Sequence, residues 1–110
     1  MGRKVPSLAE VLDILHEIAP LELAAEWDNV GLLIQPNARA GRVARLLLTI
    51  DLTDAVVAEA KKARADLVVA YHPPIFSGLK RLCADDGKQR AVLLAAAAGL
   101  AVYSPHTALD

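Results

Sequence analysis

Residues 67–74 read LVVAYHPP, and this stretch decides the fold that the sequence predicts. Residues 67–71 are apolar without alternation, which is typical of a short strand covered on both faces of a sheet. The two prolines end the strand because proline has no backbone N–H to donate to a neighbouring strand. Two similar apolar runs accompany it, VARLLLTI at residues 43–50 and LAVY at residues 100–103. We therefore predict three buried strands.

Helical patterns separate these three strands. Apolar residues recur at helical spacing over residues 53–64, and residues 87–98 are rich in alanine and followed by Gly99, a plausible helix end. Strands alternating with helices form a βαβαβ run, which implies parallel strands joined by right-handed crossovers. The predicted class is α/β, with a mainly parallel sheet flanked by helices.

The amino-terminal third adds one helix and one strand to this prediction. Ser7 and Glu10 have the spacing of a capping box, and apolar residues then recur at helical spacing until Pro20 ends the helix. Residues 21–26 are predicted to form a short helical turn, and residues 30–34 a short strand.

Composition limits the kind of protein. The chain has 110 residues, 55% of them hydrophobic, a mean hydropathy of +0.34 and a net charge of -1. We expect a single domain over residues 1–110 and no membrane span, because the longest apolar run (91–103) is shorter than the ~20 residues needed. The absence of a basic run argues against direct nucleic-acid binding. Cys83 is the only cysteine, so we expect a reducing compartment, the cytoplasm or the nucleus.

Polar side chains follow each of the three predicted strands. Asp51 follows the first strand. Tyr71 is the last residue of the second and His72 follows it. His106 and Asp110 come after the third. In parallel sheets the carboxyl ends of the strands meet at one edge, where ligands bind. Imidazole and carboxylate groups bind zinc, iron and manganese. The sequence therefore predicts a divalent-metal site at this edge.

Each of these residues also has a purely structural interpretation. His72 could cap the strand end through a carbonyl, and either Asp51 or Thr53 could be the N-cap of the following helix. Thr107 is a candidate cap for a further short helix. Trp27 is more typical of a core or interface anchor than of a ligand-stacking residue.

Four motifs together resemble a known family. They are WDNVGL at 27–32, DLT at 51–53, YHPPIF at 71–76 and YSPHTALD at 103–110. In this order they resemble the amino-terminal part of the dinuclear-metal family of type 2 GTP cyclohydrolase I homologues. The eukaryotic members of that family are called Ngg-interacting-factor-three-like proteins. Each motif alone is modest, but four in order across nearly the whole chain are specific.

The resemblance implies an α/β fold, a toroidal homohexamer and two metal ions per subunit. His72 and Asp110 match metal ligands of the family. Tyr71 replaces the first histidine of the usual pair, as in the eukaryotic-type Tyr-His-Pro-Pro variant, and either binds metal through its phenolate or hydrogen-bonds a bound water. His106 matches a histidine at the site edge, with an acid–base role. Family members supply a further His and Glu from a carboxyl-terminal segment, so we expect this chain to be the first part of a larger family fold, with an incomplete site.

Two classes of function follow from these residues and from the resemblance. The first is a metal-dependent hydrolase acting on a cyclic or nucleotide-like substrate, with His106 moving protons. The alternative is a non-enzymatic scaffold for protein interaction, with partners related to transcription regulation. Metal storage or sensing is a third possibility. In each case we expect a homo-oligomer, because a partial sheet leaves an uncovered edge or face.

Overall fold

A computed structural model describes residues 4–36 and 41–109. In chain order the described elements are α1 (Leu8–Ile18), β1 (Gly31–Ile34), β2 (Leu46–Thr49), α2 (Asp54–Lys62), β3 (Leu67–Ala70), α3 (Gly87–Ala97) and β4 (Ala101–Ser104). Short 3-10 turns cover Leu21–Leu23 and His106–Ala108. Across these two stretches of chain, every helix is too short or too polar to cross a bilayer.

The four strands form one mixed sheet in the order β1-β4-β3-β2. Strands β2, β3 and β4 are parallel, and β1 pairs antiparallel with β4, with Gly31 opposite Ser104. The predicted βαβαβ run and the mainly parallel sheet are therefore confirmed. The antiparallel strand at one edge is the predicted strand at residues 30–34.

Helices cover both faces of the central strands. Alternate residues of β3 and β4 point to opposite faces. Val68 and Val102 pack in a cluster with residues of α2 and α3, whereas Leu67 and Tyr103 pack in a second cluster with residues of α1. All four residues of β3 and of β4 are buried, as predicted.

The burial predicted for the first strand is wrong. Strand β2 alternates between exposed and half-buried residues, and Leu48 is 73% exposed. The reason is its place at the end of the sheet, where Leu47 packs on the core cluster but the opposite face has no covering element in the described residues. An apolar run shows that a strand is hydrophobic on both faces. It does not show whether other elements of the described chain cover both of those faces.

Helix ends follow the sequence closely. The Ser7 side chain accepts from the backbone N–H of Glu10, and the Glu10 carboxylate accepts from the backbone N–H of Ser7, which completes the capping box. Thr53 is the N-cap of α2, since its side chain accepts from the N–H of Val56. Gly99 follows α3 with a φ of +73°, a conformation that glycine adopts without strain.

Candidate functional site

The parallel pairing of β2 and β3 brings together Asp51 and His72, two of the residues predicted to lie at the metal-binding edge of the sheet. Beyond the end of β3, the backbone N–H of Tyr71 donates to Thr49 and that of His72 donates to Ile50, at 3.0 and 2.9 Å. The ladder therefore continues for two residues past the strand. As a result, the His72 side chain lies beside Asp51, which follows β2.

His72 and Asp51 form a histidine–carboxylate pair. The distance from His72 Nδ1 to Asp51 Oδ1 is 2.7 Å, and both side chains are largely exposed. This contact holds the ring by Nδ1 and leaves Nε2 as the ring nitrogen for a ligand. Metal-binding histidines commonly present their other ring nitrogen to a carboxylate in this way. The sequence left either Asp51 or Thr53 as the N-cap of α2. The cap is Thr53, so the Asp51 side chain is available to pair with His72.

A second histidine–carboxylate pair lies in the His106–Ala108 turn. His106 Nδ1 is 2.9 Å from Asp28, whose side chain is fully buried, with 0% exposure. The backbone N–H of Thr107 donates to Asp28 at 3.1 Å, and the Thr107 hydroxyl donates to the same oxygen. Thr107 does not cap a helix, contrary to the expectation, since its hydroxyl joins Asp28 to the backbone N–H of Ala25.

Asp28 remains ionised well below neutral pH. Burial raises its pKa, but hydrogen bonds from His106 and Thr107 outweigh burial and lower the pKa from 3.8 to about 2. An ionised carboxylate only accepts hydrogen bonds, so His106 Nδ1 carries a proton. In the neutral imidazole, Nε2 is then the acceptor nitrogen, which is suited to take up a proton.

The aromatic rings at this edge lie close together. The ring centroids of Tyr71, His72 and His106 are separated pairwise by 5.1, 5.3 and 5.5 Å. The Trp27 ring is 6.2 Å from the His106 ring, and its side chain is exposed rather than part of the core. The structure thus brings together Tyr71, His72 and His106 as predicted. Asp110, the other predicted metal ligand, lies outside the described residues.

Asp28 is a site residue that sequence reasoning missed. The WDNVGL motif at residues 27–32 resembles the family, but its sequence alone indicates no role for its aspartate. The neighbouring amide of Asn29 donates to the carbonyl of Ile75 at 2.6 Å, which fixes this segment against the loop after β3. The motif therefore indicates that this segment is part of the site. Its sequence does not show that Asp28 pairs with His106.

The donor set partly fits a divalent metal ion. His72 offers Nε2 with a carboxylate behind Nδ1, and His106 has the same arrangement with Asp28. However, residues 4–36 and 41–109 contain no group of three or more His, Cys, Asp or Glu side chains arranged to hold a metal. Catalytic zinc sites use three protein ligands, so the described residues alone do not meet the requirement for such a site.

A cleft of about 1000 Å³ adjoins the His72–Asp51 pair. It lies between the amino-terminal turns of α2 and α3, which an ion pair from Arg90 Nε to Asp54 Oδ2 joins at 2.7 Å. Phe76, from the loop after β3, also lines the cleft. A volume of this size accommodates a small-molecule ligand.

The fold and the strand-end residues define an α/β protein with two histidine–carboxylate pairs at one edge of a mainly parallel sheet. Residues 6–110 match the Duf34/NIF3 family (NGG1p interacting factor 3), and the chain belongs to this family. It is 48% identical over 103 residues to the NIF3-like protein 1 of Drosophila melanogaster, covering 94% of this chain and 35% of that protein. It is 40% identical over 96 residues to the GTP cyclohydrolase 1 type 2 homolog of Lactococcus lactis, covering 86% and 36%.

Solved structures agree with this assignment. A Bacillus cereus protein related to NIF3 superposes with a TM-score of 0.90 at 31% identity, covering 98% of this chain and 29% of that one. Reduced HcgD from Methanocaldococcus jannaschii, at 22% identity, shares the fold with a TM-score of 0.87, covering 99% and 43%. The resemblance found in the sequence is confirmed. The chain spans about a third of the length of the curated relatives it matches.

Proposed function

We propose that the chain contributes His72 Nε2 as a ligand to a divalent metal ion, as part of a metal-dependent hydrolase. The observation that carries this proposal is the 2.7 Å contact between His72 Nδ1 and Asp51, which fixes the ring in the orientation of a metal-binding histidine. Zinc, iron and manganese all suit an imidazole–carboxylate donor set. Tyr71 and Asp110 are proposed as further ligands, on the strength of the family motifs.

In this proposal His106 handles protons while the metal ion supplies Lewis acidity when bound. Asp28 fixes the Nδ1 proton of His106, so Nε2 is the nitrogen that accepts and returns a proton. The ring of His106 is 5.5 Å from that of His72, and this short distance supports a role for His106 as proton carrier next to the proposed metal ligand. A cyclic or nucleotide-like substrate is proposed from the name of the Lactococcus relative.

Elemental analysis of the dialysed chain tests the metal site directly. Because this chain alone supplies only part of the donor set, we expect a second copy to complete the site, so that zinc, iron or manganese is retained by the wild type and lost from His72→Ala, which removes a proposed ligand. Asp51→Asn is expected to weaken metal affinity about 10–100-fold by removing the carboxylate behind the ring. His16→Ala is the matched control, since His16 pairs with Glu22 away from the strand ends. Equal metal content in wild type and His72→Ala would contradict the proposal.

The second candidate function is a scaffold for protein interaction. It is supported by the exposed apolar face of β2 and by the family description as an interacting factor. A scaffold keeps its partners, including further copies of itself, when His72 is changed to alanine. A hydrolase loses turnover with the same change, so the one variant separates the two functions.

A further inference from the structure

We propose that the free edge of β2 pairs antiparallel with β2 of a second copy of this chain, about a two-fold axis at Leu47. The pairing joins two four-stranded sheets into one continuous sheet and places Arg45 of each copy near Asp51 of the other. It gives the scaffold candidate a partner and a register, and it rests on that candidate only in using the same strand. Metal binding plays no part in it.

The backbone of β2 presents hydrogen-bonding groups at the edge of the sheet. The carbonyl groups of Arg45 and Thr49 face β3, because they accept from backbone N–H groups that flank β3, at 2.8 and 3.0 Å. Backbone groups of successive residues in a strand point to opposite sides. Those of Leu46 and Leu48 therefore face away from β3, where no strand of the described chain pairs with them. Such an edge is a template for another strand.

The register follows from which residues face that edge. In an antiparallel ladder, residue pairs that exchange both N–H···O bonds alternate with pairs that exchange none. With the axis at Leu47, Leu46 of each copy lies opposite Leu48 of the other, so every outward N–H and C=O group of these residues is paired. An axis at Leu48 would instead need the carbonyl of Ile50, where the chain bends and the carbonyl already accepts from His72.

The exposed side chains of β2 supply an apolar contact in this register. Leu46 and Leu48 are 45% and 73% exposed. They lie on the same face as their ladder partners Leu67 and Val69, which α1 covers, but the covering stops short of β2. Pairing brings Leu46 of one copy against Leu48 of the other, twice about the axis. The contact is small for a stable interface, so we expect a dimer that dissociates on dilution.

Charge complementarity favours a second copy of this chain as the occupant. Arg45 donates to the carbonyl of Ala63 but has no ion pair among the residues that the structure describes. In the proposed register it lies diagonal to Asp51 of the partner subunit, a separation that a long side chain spans. Asp51 holds His72 through Oδ1, so Oδ2 can accept from the arginine. The carboxylate that orients His72 thereby gains a cation from the partner subunit.

Cysteine cross-linking tests the register. Leu46→Cys and Leu48→Cys are each made with Cys83→Ser, which removes the only native thiol, and are oxidised with glutathione disulfide in EDTA, separately and mixed. Opposite residues have Cα atoms about 5.5 Å apart, which a disulfide spans, whereas two copies of either position are more than about 7 Å apart. The mixture should therefore form at least about fivefold more covalent dimer than either variant alone.

A second variant tests the charge contact. Arg45→Gln removes the charge but keeps a side-chain N–H for the carbonyl of Ala63. Sedimentation at low salt in EDTA should show dimerisation weakened about fivefold, because both symmetric ion pairs are lost, and the difference should fade at high salt. Lys88→Gln, on α3, makes the same change of charge outside β2 and should leave dimerisation unchanged. Circular dichroism checks that each variant is folded.

Equal cross-linking by Leu48→Cys alone and by the mixture would overturn the proposal, because the axis would then not lie at Leu47. Unchanged dimerisation of Arg45→Gln at low salt would overturn it too, as would a chain that stays monomeric at every attainable concentration. Since EDTA removes metal, none of these results depends on the metal site. Failed cross-linking with metal lost from His72→Ala refutes this inference alone. Cross-linking with equal metal content in wild type and His72→Ala refutes only the metal proposal.

Discussion

At the scale of single residues, the carboxylate of Asp28 organises the turn that carries His106. It accepts hydrogen bonds from the His106 ring and from the N–H and hydroxyl of Thr107 while fully buried. His106 also has a φ of +32°, a region that side-chain-bearing residues rarely adopt. The contacts with Asp28 therefore stabilise a backbone conformation that is locally unfavourable.

Replacing Asp28 by asparagine should destabilise the fold. The substitution exchanges a carboxylate oxygen for an amide nitrogen, a donor that would face groups that themselves donate, leaving buried N–H or O–H groups unsatisfied. We expect the free energy of unfolding to fall by about 1–3 kcal/mol, measured by urea denaturation. Asp13→Asn, on the exposed side of α1, is the control and should change stability little. Equal stability of the wild type and Asp28→Asn would show that the turn does not depend on this carboxylate.

Acid should remove the contribution of Asp28 over a defined range of pH. Its pKa is about 2 in the folded protein and near 3.8 when the hydrogen bonds are absent. Because the folded-state pKa is lowered, the stabilisation is complete above pH 3.8 and is lost as the pH falls through about 2. The free energy of unfolding of wild type and Asp28→Asn should therefore converge as the pH is lowered through this range. A difference that stays constant with pH would contradict the assignment.

The sequence identified Tyr71, His72 and His106 because each lies at the carboxyl end of a predicted strand or within three residues of it. The position of a residue after a parallel strand determines which edge of the sheet it joins, and this needs no tertiary detail. The partner of His106 could not be predicted in the same way. Asp28 is 78 residues away in the chain, and only the pairing of β1 with β4 brings the two segments together.

At the scale of elements, the amino end of α2 borders both the His72–Asp51 pair and the cleft. Thr53 caps this helix, two residues after Asp51. Its side chain accepts from the N–H of Val56 at 3.2 Å, satisfying one of the backbone donors that the first turn leaves unpaired.

Thr53→Ala should lower the free energy of unfolding by about 1 kcal/mol, since alanine offers no oxygen to the first turn. Thr53→Ser retains the hydroxyl and is expected to retain most of the stability. Thermal or urea unfolding of the three proteins checks the order wild type, Ser, Ala. Equal losses for serine and alanine would mean that the methyl group, rather than the cap, contributes the stability.

Every helix and strand was predictable from a signal within its own sequence: apolar residues at helical spacing for α1 and α2, alanine content and the following Gly99 for α3, and short apolar runs for the strands. The pattern specifies an element but not its neighbours, so the exposure of β2 was not predictable. Strand order in the sheet decides this, and it depends on contacts between segments that are distant in the chain. The antiparallel direction of β1 is a further property of the assembled sheet.

At the scale of the whole molecule, the sheet has an exposed apolar surface at its β2 edge. Leu46, Leu48 and Ile50 are exposed there. An unpaired edge strand with exposed leucines favours pairing with another chain.

Leu48→Lys should reduce self-association of the 110-residue chain, because a lysine on an edge strand disfavours pairing. Analytical ultracentrifugation over a range of concentrations should show a shift towards monomer. Leu23→Lys is the matched control, since Leu23 is similarly exposed but lies in the Leu21–Leu23 turn away from the sheet edge. If both variants change the sedimentation profile equally, general hydrophobicity and not the β2 edge drives association.

The 78-residue separation of Asp28 and His106 also orders events in time. Closing so long a loop is entropically costly, and strands β2 and β3 with their crossover helix close much shorter loops first. The histidine–carboxylate pair is therefore expected to form late in folding, after the central strands have condensed. Formation of the His106 contact would then mark the final step of folding. A chain stopped before that step would have the sheet, but not the Asp28 contact that keeps a proton on His106 Nδ1.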